Sequence, residues 1–200
     1  IAACDDLIRR EPENSVALYQ RASVLAKMGD SEKAIAGYRE AVRVNPSFAA
    51  AWFDLGVILY NAGNYAGALD AYQRVVALEP ENYRAQFYLA STYRQLERYA
   101  EANAHYILAE PGFKENPDFY SEWGFCLGKT NEWDKSVARL NTARELSPGP
   151  VDNNNVGWGY YNAARTDKAA NREKDATIKL QLAKEYLEKA VTEDPNMEAG

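Results

Sequence analysis

Histidine and cysteine, the side chains that most often carry nucleophilic or metal chemistry, are scarce in this 200-residue sequence. His105 is the only histidine, so it would be the base of any histidine-dependent nucleophilic site. It falls within a repeated helical pattern that predicts a helix surface, and we expect no catalytic role for it. Cys4 and Cys126 lie far apart in the sequence and have no ligand-like spacing with His105. We expect both cysteines to be small buried residues that form neither a metal site nor a disulfide.

A short segment rich in aspartate and asparagine has a faint likeness to a calcium-binding loop. Asp152, Asn154 and Gly157 occupy suitable positions, but Val156 replaces an oxygen ligand and Ala163 stands where a bidentate glutamate is required. The segment is better explained as an N-cap, in which Asp152 or the asparagines after it accept hydrogen bonds from a starting helix. A glycine-rich phosphate loop is also missing. The sequence therefore predicts no catalytic residue, no metal, no cofactor and no enzyme.

The overall charge limits the possible partners. A formal net charge of -6 and a pI near 5.0 repel nucleic-acid phosphates and acidic membrane surfaces, so neither is an expected partner. No apolar run approaches the roughly 20 residues that span a bilayer, and membrane insertion is not expected. The sequence starts at Ile1 without a charged and then apolar leader, which leaves an upstream segment open. The compartment is not fixed, with a lean towards the cytoplasm.

The elements that position these side chains follow from an internal repeat with a period of about 34 residues. Each copy has a small, a large and a small residue at positions i, i+4 and i+7, which lie on one face of an α-helix. The small residues let another helix approach closely, and the large one fills the space between. The four copies are Ala34, Tyr38 and Ala41; Ala68, Tyr72 and Val75; Ala102, Tyr106 and Ala109; and Ser136, Leu140 and Ala143.

A second amphipathic stretch lies upstream of each such helix. It is clearest at Trp52, Leu55 and Leu59, followed by a turn at residues 61–64. Prolines close the second helices, because proline restricts the residue before it and cannot continue the hydrogen-bond ladder. The closing prolines are Pro12, Pro46, Pro80, Pro148 and Pro195, whereas the third unit has Lys114 at that place, between Pro111 and Pro117. Each unit is therefore predicted to be a helical hairpin.

These positions resemble those of the tetratricopeptide repeat (TPR) family. In this family the first helix of a hairpin carries, in order, a large residue, a leucine, a glycine or alanine, and a tyrosine or leucine. The second helix carries an alanine, a tyrosine or phenylalanine, another alanine and a closing proline. The in-register copies cover nearly the whole chain. The resemblance implies an all-α fold, an α-solenoid of antiparallel helical hairpins in a right-handed superhelix whose concave face binds peptides. The periodicity alone indicates only the hairpins.

We expect a single solenoid domain that is part of a longer array, with Asn196 onward as the entry to another unit. The match in the fifth repeat breaks off near Thr166 and resumes at Ala183, and the charged residues between them favour two lengthened helices with a solvated tip. Arrays need polar caps because each unit otherwise exposes an apolar face. The predicted units are a partial repeat with only its second helix at 1–14, and repeats at 15–48, 49–82, 83–116, 117–149 and 150–197.

The family resemblance places several positions of each first helix in the concave groove. Aromatic side chains are frequent at these positions, which need no packing residue, and this favours a binding surface, although Tyr60 or Phe125 could instead pack between units. Arg84, Arg94 and Lys129 would fix an acidic group or the backbone of a peptide. The predicted peptide-binding residues are Tyr19, Phe53, Tyr60, Arg84, Phe87, Arg94, Phe125, Lys129, Trp158 and Tyr161.

Two functions fit this sequence. The first is a non-enzymatic protein–protein interaction scaffold that holds a peptide or helical segment of a partner in the aromatic groove. The alternative is a structural module that self-associates through its uncapped ends or through the projecting fifth hairpin.

Overall fold

A computed structural model of the chain describes residues 1–196, in which the backbone forms eleven α-helices, one short 3₁₀ turn at Glu110–Gly112 and no strand. Beyond Asn196, the predicted entry to a further unit lies outside the described residues, as does Met197, the end of the predicted fifth repeat. The helices are α1 (Ala2–Arg10), α2 (Ser15–Lys27), α3 (Ser31–Val44), α4 (Ala49–Asn61), α5 (Tyr65–Leu78), α6 (Tyr83–Gln95), α7 (Tyr99–Ala109), α8 (Pro117–Lys129), α9 (Trp133–Leu146), α10 (Pro150–Ala169) and α11 (Glu173–Glu193).

Amide and carboxylate side chains fix the start of five helices. Each accepts a hydrogen bond from the backbone N–H three residues later, at 3.0 to 3.3 Å. This bond satisfies one of the N–H groups that have no partner inside the helix. The capping residues are Asn14, Asp30, Asn64, Asn82 and Asn116.

Helix α10 begins in another way. Its N-cap is Gly149, which has no side-chain hydrogen bond, and Pro150 occupies the first helical position. Proline suits this position because its φ is already helical and its missing N–H would have had no partner. Asp152 and the asparagines after it therefore lie inside the helix, and the prediction that they form the N-cap is wrong.

The packed helices separate into two compact units. Unit 1 comprises residues 1–98 and 107–109, and unit 2 comprises residues 99–106 and those from 110 onward. Unit 1 contains the packed pairs α2 with α3 and α4 with α5, and unit 2 contains α8 with α9 and α10 with α11. Each pair is a helical hairpin. The predicted fold class, an all-α solenoid of hairpins, is confirmed.

The small–large–small row of the repeat is buried in every copy. In unit 1 the ring of Tyr72 lies 2.7 Å from where a Cβ on Gly56 would stand, so α4 can lie this close to α5 only because position 56 has no side chain. In unit 2 the row has Ser136 in place of alanine, and its hydroxyl donates to the carbonyl of Gly124 at 2.7 Å. The repeat therefore specifies close contacts between the two helices of a hairpin.

The linkers between hairpins are held by the side chain at one repeat position. Trp52 Nε1 donates to the Pro46 carbonyl, and Gln86 Nε2 donates to the Pro80 carbonyl, each at 2.9 Å. A hydrogen bond of this kind stabilises the folded chain by about 1 kcal/mol. The proline that ends one hairpin is thus fixed by the first helix of the next.

The fifth hairpin is longer than the fourth, with 20 and 21 residues in α10 and α11 against 13 and 14 in α8 and α9. Asn153 Nδ2 donates to Glu193 Oε2 at 2.7 Å. Near the tip, the buried Asp167 contacts Arg172 and also Lys179, whose Nζ lies 2.7 Å from Oδ2. Hydrogen bonds from Lys179 and Arg172 hold the pKa of Asp167 below its usual range. The two long helices are therefore joined by polar contacts near both ends.

Candidate functional site

Helices α8, α9 and α10 of unit 2 enclose an open groove of about 580 Å³. This volume falls in the range of ligand pockets, roughly 300 to 1,000 Å³. The first helices of the fourth and fifth hairpins form its walls, and the first half of α9 forms its floor. We call it the tryptophan groove. It is lined by Ser121, Gly124, Phe125, Gly128, Lys129, Asn131, Trp133, Ser136, Leu140, Asn155, Trp158, Gly159 and Asn162.

Two glycines bring the floor of the tryptophan groove against its walls. A Cβ on Gly128 would stand 2.8 Å from the ring of Trp133, and a Cβ on Gly159 would stand 2.9 Å from Cγ2 of Val137. Both distances are shorter than carbon atoms tolerate without displacement. Any side chain at these two positions would therefore move α9 or Trp133, and the shape of the groove depends on the glycines.

The polar groups of the tryptophan groove lie beside its aromatic rings. Lys129 Nζ lies 5.2 Å from the ring centre of Phe125, within the range of a cation–π contact, and the Phe125 side chain is 48% exposed. Asn162 Nδ2 donates to the carbonyl of Trp158 at 2.9 Å. Its Oδ1 is then the atom that can accept a hydrogen bond from a ligand.

Histidine, cysteine and acidic side chains are not among the residues that line the tryptophan groove. Catalysis needs a nucleophile beside a base, and His105 does not line the groove; it is half-buried, and burial lowers its pKa. Within residues 1–196, no group of three or more histidine, cysteine or acidic side chains is placed to hold a metal ion. Cys126 is buried as predicted, whereas Cys4 is only half-buried.

Unit 1 has a groove at the same repeat position, between α2 and α4, with a volume of about 490 Å³. Nine of its ten lining residues align with residues that line the tryptophan groove. A lysine and an asparagine are common to both grooves, but serine and aliphatic residues replace the aromatic ones. The aligned pairs are Lys27 with Lys129, Asn61 with Asn162, Ser31 with Trp133, Ser23 with Phe125 and Val57 with Trp158. Only the unit 2 groove therefore has large aromatic walls.

Three of the predicted binding residues, Phe125, Lys129 and Trp158, line the tryptophan groove together. The fourth one predicted in unit 2, Tyr161, packs edge-on against Trp158 at 5.5 Å and is 38% exposed. The guanidinium of Arg165 lies 5.9 Å from the Tyr161 ring centre. Tyr161 thus extends the aromatic surface of Trp158 on α10.

The six residues predicted in unit 1 do not line one groove. Tyr19 is half-buried, its hydroxyl donates to Asp54 Oδ2 at 2.9 Å, and its ring packs against Phe48 at 5.0 Å. Burial, with a smaller effect of the Asp54 carboxylate, raises the pKa of Tyr19 to about 12. Tyr19 therefore holds two neighbouring hairpins together.

Phe53 lies in an aromatic cluster of unit 1. Its ring packs edge-on against Tyr72 and Tyr88, at 5.8 and 5.5 Å, and the guanidinium of Arg84 lies 5.2 Å from its centre. Phe53 and Arg84 line a smaller pocket of about 210 Å³. The half-buried Phe87 packs against Tyr88 at 5.6 Å. Because Phe53 contacts the buried Tyr72, its replacement would disturb the core as well as any bound ligand.

Tyr60 accepts a hydrogen bond from Gln95 Nε2 at 3.2 Å, and its ring packs against Tyr65 at 5.3 Å. Arg94, on α6, is half-buried. The structure thus gives Tyr60 a packing contact within its own hairpin and a polar contact to the next. A part for Tyr60 or Arg94 in ligand binding stays a prediction.

Trp133, Asn155 and Gly159 line the tryptophan groove but were not predicted. Trp133 is the first residue of the second helix in its hairpin, where the repeat otherwise has Ser31, Tyr65 and Tyr99. A tryptophan at this place, together with Gly128 before it, is the sequence signal that indicates a widened aromatic groove.

Fold and site together define an α-helical repeat protein with grooves between successive hairpins. Residues 19–78 match a family model described as tetratricopeptide repeat, and residues 84–150 match one described as YpiA-like, C-terminal tetratricopeptide repeats. The two matches together cover more than half of the chain, which therefore belongs to the tetratricopeptide repeat family. Among proteins with curated functions, none matches the sequence.

Solved structures with the same fold include YrrB, described as a TPR protein with an unusual peptide-binding site. It is 21% identical, with a TM-score of 0.78 over 98% of this chain and 95% of that one. A MamA structure is 18% identical, with a TM-score of 0.71 over 92% and 97% of the two chains. Another MamA structure, from Desulfovibrio magneticus RS-1, is 17% identical, with a TM-score of 0.67 over 88% and 97%. These similarities show the fold.

The fold also indicates the general class of function. TPR domains are in general non-enzymatic folds for protein interaction, and this chain is a protein-interaction scaffold in that sense. Crossing a bilayer requires a longer and more apolar helix than any formed by residues 1–196.

Proposed function

We propose that this chain is a non-enzymatic scaffold that binds a peptide segment of a partner protein, and that the tryptophan groove is its main site. The observation that carries the proposal is the combination of Phe125 and Trp158, from two neighbouring hairpins, around one open groove with Trp133 as its floor. Exposed aromatic side chains that surround a concave space are the usual anchors of protein recognition.

The side chains of the groove indicate what the peptide carries. An aliphatic or aromatic side chain would enter between Trp133 and Trp158 and lose contact with water, which contributes about 1.5 to 3 kcal/mol. The ammonium group of Lys129 would bind a carboxylate of the peptide, and Asn162 Oδ1 would accept a backbone N–H. The expected ligand is therefore an extended segment with an apolar side chain next to an acidic one.

The other predicted residues have secondary roles in this proposal. Tyr161 would extend the aromatic wall formed by Trp158. In unit 1, a peptide contact separate from the tryptophan groove is proposed for Tyr19, Phe53, Tyr60, Arg84, Phe87 and Arg94. Of these, Arg84 is exposed beside the half-buried Phe53 ring, which supports a polar and an aromatic contact at that place.

A displayed library of random peptides tests this proposal. Peptides selected on the wild-type chain should bind at least tenfold more weakly to a Trp158→Ala variant, which corresponds to about 1.4 kcal/mol or more. The matched control is Ile178→Ala, which truncates a residue that is 61% exposed on α11 and is not among those that line the tryptophan groove. Equal affinity of the selected peptides for the wild type and Trp158→Ala would rule out the tryptophan groove.

Self-association is the second candidate function, and one observation favours it. Helix α1 has no buried residue. Leu7 on this helix and Ile1, the residue directly before the helix, are exposed apolar side chains. Self-assembly predicts an average mass that rises with concentration and falls again in an Ile1→Ser, Leu7→Ser variant. Sedimentation equilibrium that gives one monomer mass across a hundredfold range of concentration would exclude it.

A further inference from the structure

Unit 1 carries a second kind of groove, on the side of its hairpins formed by α3 and α5. The groove has a volume of about 730 Å³, and the start of α4 forms its floor. The floor is apolar, with Val42 and Leu55 buried and Trp52 half-buried. We call it the arginine groove because its rim carries Arg39, Arg43 and Arg74.

Two of the three arginines have no carboxylate partner within residues 1–196. Arg43 binds Glu40 through two hydrogen bonds, at 2.9 and 2.7 Å. Among the described residues, no carboxylate lies within 4.0 Å of the guanidinium of Arg39 or of Arg74, although Asp70 is on the same rim. Two guanidinium groups thus remain available on one groove of a chain whose net charge is -6.

The repeat itself does not require these residues. At the aligned positions of the fourth and fifth repeats, Arg39 becomes Asn141, Arg43 becomes Glu145 and Trp52 becomes Asn153. The hairpin fold is the same with these neutral or acidic side chains. Arg74 aligns with Lys189 and so keeps a positive charge, whereas Arg39, Arg43 and Trp52 are a local feature of unit 1 and not a condition for its folding.

We propose that the arginine groove is a second, independent docking site, and that it takes an acidic segment of a partner protein. One aliphatic or aromatic side chain of the segment would lie on Trp52 and Leu55, and flanking carboxylates would bind Arg39 and Arg74. Charge complementarity supports this ligand, because the planar guanidinium group matches a carboxylate with two parallel hydrogen bonds. The arginine groove shares no lining residue with the tryptophan groove or with the groove at Lys27.

The probe for this site is a fluorescein-labelled pentapeptide with one leucine between two pairs of glutamates, measured by fluorescence anisotropy. An Arg39→Gln, Arg74→Gln variant should bind the probe at least tenfold more weakly than the wild type. The control is Lys33→Gln, Lys135→Gln, which changes the net charge by the same amount at two exposed lysines away from the groove. It should weaken binding less than twofold.

Two further measurements test the floor and the rim separately. Exchange of the leucine of the probe for glycine should weaken binding, because the floor formed by Trp52 and Leu55 is apolar. Asp70→Asn should strengthen binding, since a like charge leaves the rim. Circular dichroism of each variant establishes that the helices are intact.

Several results would overturn the proposal. The first is an equal loss of affinity for the probe in the arginine variant and in the lysine control. The second is equal affinity for a probe that has lysines in place of the glutamates. The third is the absence of saturable binding up to millimolar concentrations of the probe. A monomer–dimer equilibrium that the arginine variant abolishes would identify a second copy of the chain as the occupant and would also refute it. The same measurements in a Trp158→Ala background remove binding of the probe to the tryptophan groove, so the two proposals can fail separately.

Discussion

Replacing Tyr72 by phenylalanine should stabilise this protein, although Tyr72 is part of the repeat's buried row. Its ring packs against Phe53 and Tyr88, and phenylalanine keeps that packing. The hydroxyl, in contrast, is buried and has no hydrogen-bond partner among the described residues. The same burial raises the pKa of Tyr72. An unpaired buried polar group costs about 1 to 3 kcal/mol, so its removal should raise the free energy of unfolding by about 1 kcal/mol or more.

The equivalent tyrosine of the third repeat supplies the matched comparison. Tyr106 is as deeply buried as Tyr72, but its hydroxyl donates to Glu122 Oε2 at 2.8 Å. Tyr106→Phe removes a hydrogen bond to a charged group and should lower the free energy of unfolding by about 1.5 to 3 kcal/mol. The two variants remove the same atom from the same repeat position, so their effects should have opposite signs.

Thermal unfolding followed by circular dichroism measures both effects. For a chain of this size, 1 kcal/mol corresponds to a change in Tm of about 2 to 4 °C. Tyr72→Phe should raise Tm by about that amount, and Tyr106→Phe should lower it by more. A decrease in Tm for Tyr72→Phe as large as that for Tyr106→Phe would show that the Tyr72 hydroxyl has a partner and would refute the reasoning.

Three further predictions follow from the contacts described above. Asp167→Asn should lower Tm at pH 7, and this effect should disappear in acid. The folded pKa of Asp167 is depressed, so its contribution to stability is present above the unfolded pKa of about 4 and is lost as the pH falls through the folded pKa, which a measurement of Tm against pH would record. Gly128→Val should displace Trp133 and weaken the binding of a selected peptide at least tenfold in calorimetry, whereas unchanged affinity would show that the groove does not depend on Gly128. Trp52→Phe should lose the hydrogen bond to the preceding linker, about 1 kcal/mol, and lower Tm by about 2 to 4 °C; an unchanged Tm would contradict a role in fixing the linker.

The core row could be predicted from the sequence because its members recur at a fixed interval. Ala68 and Tyr72 are predicted to be buried on one helix face, and both are. The start of α10 could not be predicted as securely, because two local preferences compete there. Asp152 favours an N-cap, but Pro150 fixes a helical φ two residues earlier and sets the start of the helix.

The candidate site was predictable only in part, because exposure depends on the neighbouring repeat. Phe53 and Phe125 are both predicted, from their positions in their own hairpins, to face the groove and bind a peptide. Phe53 is covered by Tyr88 of the next first helix, whereas the side chain of Phe125 is 48% exposed. The sequence does show Trp133 and Gly128 as departures from the other repeats, but their contact depends on how closely the two helices of the hairpin approach and could not be predicted from the repeat alone.

The central claim, a peptide site in the tryptophan groove, is tested most directly by ¹⁹F NMR of the chain labelled with fluorotryptophan. The chain has four tryptophans: Trp133 and Trp158 in the tryptophan groove, Trp52 in the arginine groove and the buried Trp123. Titration with a peptide selected from the displayed library should shift the Trp133 and Trp158 resonances with one common Kd and leave the buried Trp123 unchanged; any shift of Trp52 should follow a separate Kd, that of the arginine groove. A saturable shift of Trp52 alone, or no shift of Trp133 and Trp158 while the peptide binds, would contradict the claim.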